Sequence, residues 1–138
     1  MRSFVSVRAM ILALTVPMLA APQAFAQETR DARWLSLGNT ARAEIFIDRE
    51  SMRREGSRVI VWKRSEYFTR DPVNSGAAVG LDEIAYDCSA RTSEIRSFVL
   101  QDERGNVIRS LTVPTHQREA QSISPGSVAE SIFRQVCE

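Results

Sequence analysis

Two cysteines and one histidine are the side chains of this 138-residue chain with the greatest potential for redox, metal or nucleophilic chemistry. A catalytic dithiol usually has the spacing Cys-x-x-Cys, and a tetrahedral zinc site needs four ligands. Cys88 and Cys137 are far apart in the sequence, and His116 is the only histidine that could join them. We therefore favour a structural disulfide over a redox pair or a metal site, and we expect no cofactor.

Acid–base catalysis has little more support. His116 lies in a polar stretch, and the sequence contains neither a Gly-x-Ser-x-Gly nucleophile elbow nor a Walker-type phosphate loop. Two pairs of adjacent carboxylates could exchange protons, at Asp82-Glu83 and Asp102-Glu103. Neighbouring residues of a strand point to opposite faces, however, and the second pair borders a turn signal. The sequence therefore predicts a protein that is not an enzyme.

An arginine-rich segment is the candidate binding site. Residues 49–71 carry seven Arg or Lys against four Asp or Glu. Because guanidinium groups bind carboxylate and sulfate oxygens well, this pattern predicts a docking patch for an acidic protein, a heparin-like glycan or an anionic lipid surface. The patch would consist of Arg49, Arg53, Arg54 and Arg58. The alternative is an ordinary solvated face with interleaved charges, in a chain whose 17 Arg against one Lys reflects genomic base composition.

The first 26 residues have the organisation of a secretory signal peptide. Arg2 and Arg8 precede an uncharged apolar stretch, and the Ala-Phe-Ala ending at residues 24–26 predicts cleavage before Gln27. A membrane span needs about 20 largely apolar residues, whereas Pro17 interrupts this run. No cysteine lies near the cleavage point. We therefore expect an exported protein, periplasmic, on the cell surface or secreted, with neither a transmembrane segment nor a lipid anchor.

Residues 27–138 would then form a single domain, since domains usually comprise roughly 100–200 residues. Their 16 Lys and Arg against 17 Asp and Glu make the net charge −1, whereas the full chain has +1. This near-neutral charge argues against a nucleic-acid-binding protein. Export would place both thiols in an oxidising compartment, where a disulfide persists and the only intramolecular pairing is Cys88 with Cys137.

Most of this domain has the alternation and β-branched composition of strands. A short apolar piece at residues 34–37 is followed by Gly38-Asn39, a pair that favours a turn. Further strands are predicted over residues 43–48, 57–68, 81–88, 92–101 and 106–113. The last two should pair in antiparallel fashion, because only a short glycine-containing connection separates them.

The end of the chain changes to helical periodicity. Two start signals fit, either Ser124 as the cap with Pro125 in the first turn, or Ser127 as the cap with Glu130 in a capping box. One helical face collects the apolar residues, namely Val128, Ala129, Ile132, Phe133, Val136 and Cys137. The predicted fold class is therefore α+β, a small antiparallel β-sheet with a C-terminal α-helix packed on it and tied by the disulfide.

Several short motifs, in a definite order, carry a family resemblance. They are Trp34 with Gly38, Ile45-Phe46-Ile47-Asp48, Ser51-Met52-Arg53 with Gly56, Val59 to Trp62, Tyr86-Asp87-Cys88, Gly105-Asn106-Val107-Ile108, Pro125-Gly126-Ser127 and Cys137. In this order they resemble the surface-adhesin protein E family. The resemblance implies a compact antiparallel sheet with a disulfide-tied helix, in a Gram-negative bacterium. It also implies binding to host proteins such as vitronectin, laminin and plasminogen, and the ability to form a homodimer.

The chain departs from the lipoprotein pattern of that family because no acceptor cysteine lies at the predicted cleavage site. Two functions from different classes follow. The first is a protein-binding module that resembles the adhesin, binds host matrix or other extracellular proteins, and uses a sheet edge or the arginine-rich turn. The second is a periplasmic cell-envelope protein with a structural or stress role and no host ligand. No ligand-contacting residue of the family matches a motif of this chain.

Overall fold

The computed structural model describes residues 33–72 and 75–138. The predicted signal peptide at residues 1–26 and its cleavage point before Gln27 lie outside this part of the chain. The strands are β1 (Trp34–Asn39), β2 (Ala43–Asp48), β3 (Arg53–Glu55), β4 (Arg58–Asp71), β5 (Ala77–Asp87), β6 (Thr92–Gln101), β7 (Val107–Thr112) and β8 (Gln121–Ser122). The helix α1 comprises Val128–Cys137, and short 3₁₀ turns lie at Arg49–Ser51 and Thr115–Gln117.

The strands form one antiparallel sheet in the order β1-β2-β4-β5-β6-β7. Strand β3 pairs with the first residues of β4, on the same side of β4 as β2. Strand β8 pairs with the first residues of β6, on the same side of β6 as β7. Every pairing is antiparallel, which short connections between successive strands allow. The predicted hairpin of residues 92–101 and 106–113 is confirmed as β6 and β7.

Strand β4 is the centre of the sheet, and it begins with apolar residues on both faces. Val59, Ile60 and Val61 are all buried, as the unbroken apolar run in the sequence predicts. Val59 and Val61 point towards α1, where they join a core that the helix completes with Ile132, Phe133 and Val136. Ile60 points the other way, because side chains alternate along a strand.

Of the two predicted start signals for α1, the structure shows the one with Ser127 as the cap. The hydroxyl oxygen of Ser127 accepts a hydrogen bond from the backbone N–H of Glu130 at 3.1 Å, which makes Ser127 the cap. The carboxylate of Glu130 reaches back and accepts from the backbone N–H of Gly126 at 2.7 Å. The N–H of Glu130, which the helix start leaves unpaired, is satisfied in this way, and so is the N–H of Gly126 just before the cap.

The predicted disulfide is confirmed, and it joins the last residue of α1 to the residue that follows β5. The Cα atoms of Cys88 and Cys137 are 5.5 Å apart, and the bridge closes a sequence separation of 49 residues. The backbone N–H of Cys88 also donates to the carbonyl oxygen of Ser57 at 3.0 Å. The helix is therefore fixed to the sheet by its apolar face along its length and by a covalent bond at its end.

Two local predictions were wrong. Strand β1 does not end at Gly38-Asn39 but continues through both residues, with a bulge between Ser36 and Gly38. Gly38 has a φ of +98°, so its freedom serves the bulge rather than a tight turn. Strand β3 was not predicted, because three charged residues do not show the apolar alternation of a strand. It forms because the turn at Gly56 folds Arg53–Glu55 back onto β4.

Candidate functional site

The four arginines of the predicted docking patch lie on the connection from β2 to β4. After β2, the side chain of Asp48 caps the 3₁₀ turn by accepting from the backbone N–H of Glu50 at 3.1 Å. The hydroxyl oxygen of Ser51 accepts from the backbone N–H of Trp62 at 3.0 Å. This bond gives the Trp62 N–H a partner at the point of β4 that lies between its pairing with β2 and its pairing with β3. This arrangement places Arg49 in the turn, Arg53 and Arg54 in β3, and Arg58 at the start of β4.

Arg53 is bound to carboxylates on the face of the sheet opposite α1. Its guanidinium lies 2.8 Å from Glu83 of β5 and 3.3 Å from Glu55 of its own strand. These bonds raise the pKa of Arg53, the hydrogen bond to Glu83 being the largest cause. Glu55 in turn accepts from Arg96 of β6 at 3.4 Å. The charge of Arg53 is therefore largely offset by Glu83 of another strand and by Glu55 of its own strand.

The positive charge of Arg58 is offset by carboxylates in the same way. Its guanidinium lies 3.2 Å from Glu94 of β6 and 3.7 Å from Asp87 of β5. The Asp87 carboxylate also accepts from the backbone N–H groups of Ala90 and Ser89 in the following turn. The pKa of Asp87 is lowered, first by the hydrogen bond from Ala90. Arg58 therefore belongs to a ladder of alternating charges across three strands.

Arg49 and Arg54 differ from the other two arginines. Both side chains are exposed, and neither forms an ion pair with any residue in the described ranges. Arg54 pairs with Val59 in the register of β3 and β4, whereas Arg53 pairs with Ile60, so the two side chains leave β3 on opposite faces. The docking patch remains a prediction, and its free positive charge rests on Arg49 and Arg54.

A tryptophan near the start of the described chain shares the face opposite α1. The guanidinium carbons of Arg33 and Arg64 lie 5.9 Å and 5.7 Å from the centre of the Trp34 ring. Arg33 also forms a 2.6 Å ion pair with Asp48, a carboxylate that is buried at the end of β2. Hydrogen bonding to Asp48 raises the pKa of Arg33. Sequence reasoning missed this cluster, since its members meet only through the pairing of β1, β2 and β4.

Strand β7 exposes three large apolar side chains. Val107 is 58% exposed, Ile108 42% and Leu111 47%. Within the described residues, β7 pairs with β6 alone, so the backbone groups on its other side face outwards. The hairpin turn before it is held by Asp102, whose carboxylate accepts from the backbone N–H groups of Arg104 and Asn106. An open sheet edge with apolar side chains is a surface on which another strand can pair.

A cleft of about 360 Å³ opens beside α1, on the face of the sheet against which α1 packs. Its floor comes from β5 and β6, one wall from α1, and the rim from the segment between β7 and β8. Ile95, which is 50% exposed, and Tyr86, which is 1% exposed, both line it. Burial raises the pKa of Tyr86, and the negative charge of Asp82 adds to the effect. The sequence offered no signal for this cleft.

The groups considered for catalysis do not come together. Asp82 pairs with Lys63 at 2.7 Å and Glu83 with Arg53, on opposite faces of β5. His116 lies in the second 3₁₀ turn, where its ring nitrogen contacts the side-chain amide of Gln117 at 3.2 Å. Over the described ranges, no group of three or more His, Cys, Asp or Glu side chains could hold a metal ion. No helix of the described part has the length and apolar character needed to cross a membrane.

Comparison with known proteins gives one match. Residues 34–138 match the model of a family described as surface-adhesin protein E. The matched range begins at the first residue of β1 and includes the whole sheet, α1 and both cysteines. No curated protein and no solved structure shows a significant match to the chain.

Proposed function

Since this chain belongs to the surface-adhesin protein E family, we propose that it is an exported, non-enzymatic module that binds an extended segment of a partner protein along strand β7. Family membership supports an adhesin-like surface or exported protein and suggests protein binding. The observation that carries the proposal is the open edge of β7 with its exposed apolar side chains Val107, Ile108 and Leu111.

Strand addition fits the chemistry of this edge. The unpaired N–H and C=O groups of an edge strand bind the backbone of an incoming strand, while side-chain pockets on alternate positions give specificity. Burial of apolar side chains contributes roughly 25 cal/mol per Å² of apolar surface. The preferred partner segment is therefore extended and partly apolar.

The family resemblance makes a host extracellular-matrix protein, such as vitronectin, the first partner to test. A second copy of the chain is the other occupant of the same edge, because an isologous dimer can form by pairing two copies of one strand. Residues 1–26 would direct export and would then be removed by cleavage before Gln27. The arginine-rich turn, through Arg49 and Arg54, is the second contact that we propose for an acidic partner.

The test uses the disulfide-bonded protein and immobilised vitronectin. Ile108→Lys with Leu111→Lys should weaken binding at least tenfold, because lysine on an edge strand opposes pairing with another strand. Phe68→Lys is the matched control, since Phe68 is 56% exposed but lies on β4. Equal binding by all three proteins would refute the use of β7. Sedimentation of each variant separates loss of a homodimer from loss of the host ligand.

The lack of an acceptor cysteine at the predicted cleavage site favours a second candidate, a periplasmic envelope protein without a host ligand. Cell fractionation distinguishes the two functions. An adhesin should be cleaved by protease added to intact cells, whereas an envelope protein should be protected there and released by osmotic shock. Protection together with failure to bind matrix proteins would overturn the adhesin proposal.

A further inference from the structure

The hydrogen-bonding pattern between β6 and β7 determines which backbone groups of β7 face outwards. In an antiparallel pair, residues that bond to the neighbouring strand through both their N–H and their C=O alternate with residues whose two groups point away from it. The backbone N–H of Val113 donates to the carbonyl oxygen of Arg96 at 2.8 Å. The register continues unbroken from there, so Leu111 and Arg109 also bond to β6.

Ser110 and Thr112 occupy the alternate positions, so the outward groups of this stretch are their two N–H donors and two C=O acceptors. Both residues are exposed. Among the described strands, β7 has a neighbour only on the β6 side. A strand that adds to this edge would therefore form its hydrogen bonds at Ser110 and Thr112.

The outward row of hydrogen-bonding groups is short, because it is closed at both ends. Pro114 is the next outward position and has no N–H. Its carbonyl oxygen already accepts from the backbone N–H of Gln117 at 2.8 Å. At the other end, the register between β6 and β7 shifts before Arg109, which interrupts the alternation. The edge therefore has room to pair with about five residues, opposite residues 109–113.

The side chains of this stretch favour a particular pattern in the added segment. Leu111 is 47% exposed, and a residue opposite it would form a non-hydrogen-bonded pair, in which facing side chains are closest. An apolar residue at that position would cover Leu111. Threonine or serine opposite Ser110 and Thr112 can form hydroxyl hydrogen bonds across the strands. The complementary segment is therefore apolar at its centre and has a hydroxyl residue on either side.

We propose that β7 binds an antiparallel segment of about five residues, with an apolar side chain opposite Leu111 and Thr or Ser opposite Ser110 and Thr112. The antiparallel orientation is that of every other pairing in this sheet, and it is slightly more stable per residue than the parallel one. This inference rests on the proposed function, because it gives the register, length and pattern of the segment that β7 binds.

The probe is the capped peptide Val-Thr-Val-Thr-Val, added to the disulfide-bonded, isotope-labelled protein and followed by NMR. In the free protein, amide hydrogen exchange should be fast at Ser110 and Thr112 and slow at Leu111 and Val113, which bond to β6. The peptide should shift the signals of residues 109–113 in a saturable way. It should also slow exchange at Ser110 and Thr112.

Two altered peptides test the backbone pairing and the central position separately. N-methylation of both threonines keeps every side chain but removes the two N–H donors that would face the carbonyl oxygens of Ser110 and Thr112. This peptide should bind at least about tenfold more weakly, since two hydrogen bonds are lost. Val-Thr-Asp-Thr-Val should also bind more weakly, because it places a charge opposite Leu111.

A proline variant tests the same donors on the protein. Ser110→Pro removes one outward N–H and leaves the bonds to β6, because an edge strand accepts proline where the N–H faces solvent. It should weaken binding of the peptide about three- to tenfold. Ser110→Ala is the matched control, since it loses the hydroxyl but keeps the N–H, and it should weaken binding less. Circular dichroism checks the fold of both variants.

The inference would be overturned by the absence of saturable shifts, by equal binding of the peptide and its N-methylated form, or by slow exchange of Ser110 and Thr112 in the free protein. Failure of the proposed function gives a different result. In that case, Ile108→Lys with Leu111→Lys would leave vitronectin binding unchanged although the peptide still pairs with β7. If those lysines abolish vitronectin binding while Ser110→Pro does not weaken it, β7 is used without strand pairing and only this inference fails.

Discussion

Removal of the disulfide should lower the free energy of unfolding by about 4 kcal/mol. The bridge between Cys88 and Cys137 spans a sequence separation of 49 residues, a loop that contains β6, β7 and β8. In the chain-entropy model a loop of about 50 residues lowers the entropy of the unfolded chain by roughly 14 cal/mol/K, which corresponds to about 4 kcal/mol at 25 °C. Because small domains have a total stability of about 5–15 kcal/mol, this is a large fraction.

The assay is urea unfolding of the oxidised protein and of a variant with both Cys88→Ala and Cys137→Ala, followed by circular dichroism. With a denaturant slope of about 2 kcal/mol/M, the midpoint should fall by about 2 M. The slope itself should rise in the variant, because its unfolded chain is no longer held compact by the loop. Hydrogen exchange should show that the amides of α1 lose protection first.

A second variant with both cysteines changed to serine is the control for the side chains themselves. If the covalent link causes the loss, the free energies of unfolding of the alanine and serine variants should agree within about 0.5 kcal/mol. A loss below about 1 kcal/mol in both variants would refute the reasoning. It would mean that the unfolded chain without the bridge already retains enough structure to restrict these segments.

Three further expected outcomes depend on single contacts. Ser127→Ala should lower the free energy of unfolding by about 1 kcal/mol, measured by urea unfolding, because the helix start loses its cap. The pKa of Glu130 is lowered, first by the hydrogen bond from Gly126, so its contribution to stability is present above its unfolded pKa and is lost as the pH falls through its folded pKa. Glu130→Gln should therefore flatten the acid side of the stability profile, and an unchanged profile would contradict this. Arg49→Glu with Arg54→Glu should weaken retention on heparin with no loss of thermal stability, because neither arginine forms an ion pair in the described part of the chain.

The local features of the fold could be predicted from the sequence. β-Branched and aromatic composition identified β2 and β4, alternation at period 2 identified β5, and the period of 3.6 identified α1 from its first turn to Cys137. The capping residue was narrowed to two candidates, and the hydrogen bonds of Ser127 decided between them. A chain with two cysteines and an exported destination has one intramolecular pairing, so the sequence alone was enough to pair Cys88 with Cys137.

What the sequence could not predict depends on register. Arg53 and Glu83 are 30 residues apart and Arg58 and Glu94 are 36 residues apart, yet they are bonded because β3, β4, β5 and β6 align at one particular register. A shift of one residue in any pairing would turn these side chains to the other face.

The sequence by itself therefore determined the class of fold, the disulfide and the concentration of arginines in residues 49–71, and it predicts an export signal at residues 1–26. Only the tertiary structure decided which of those arginines are offset by carboxylates, that β7 is an edge strand of the sheet, and that Tyr86 lines a cleft beside α1. The physical reason is distance along the chain. Periodicity, caps and turns are set by residues a few positions apart, whereas charge pairing, exposure and cavities arise between strands that the sheet brings together.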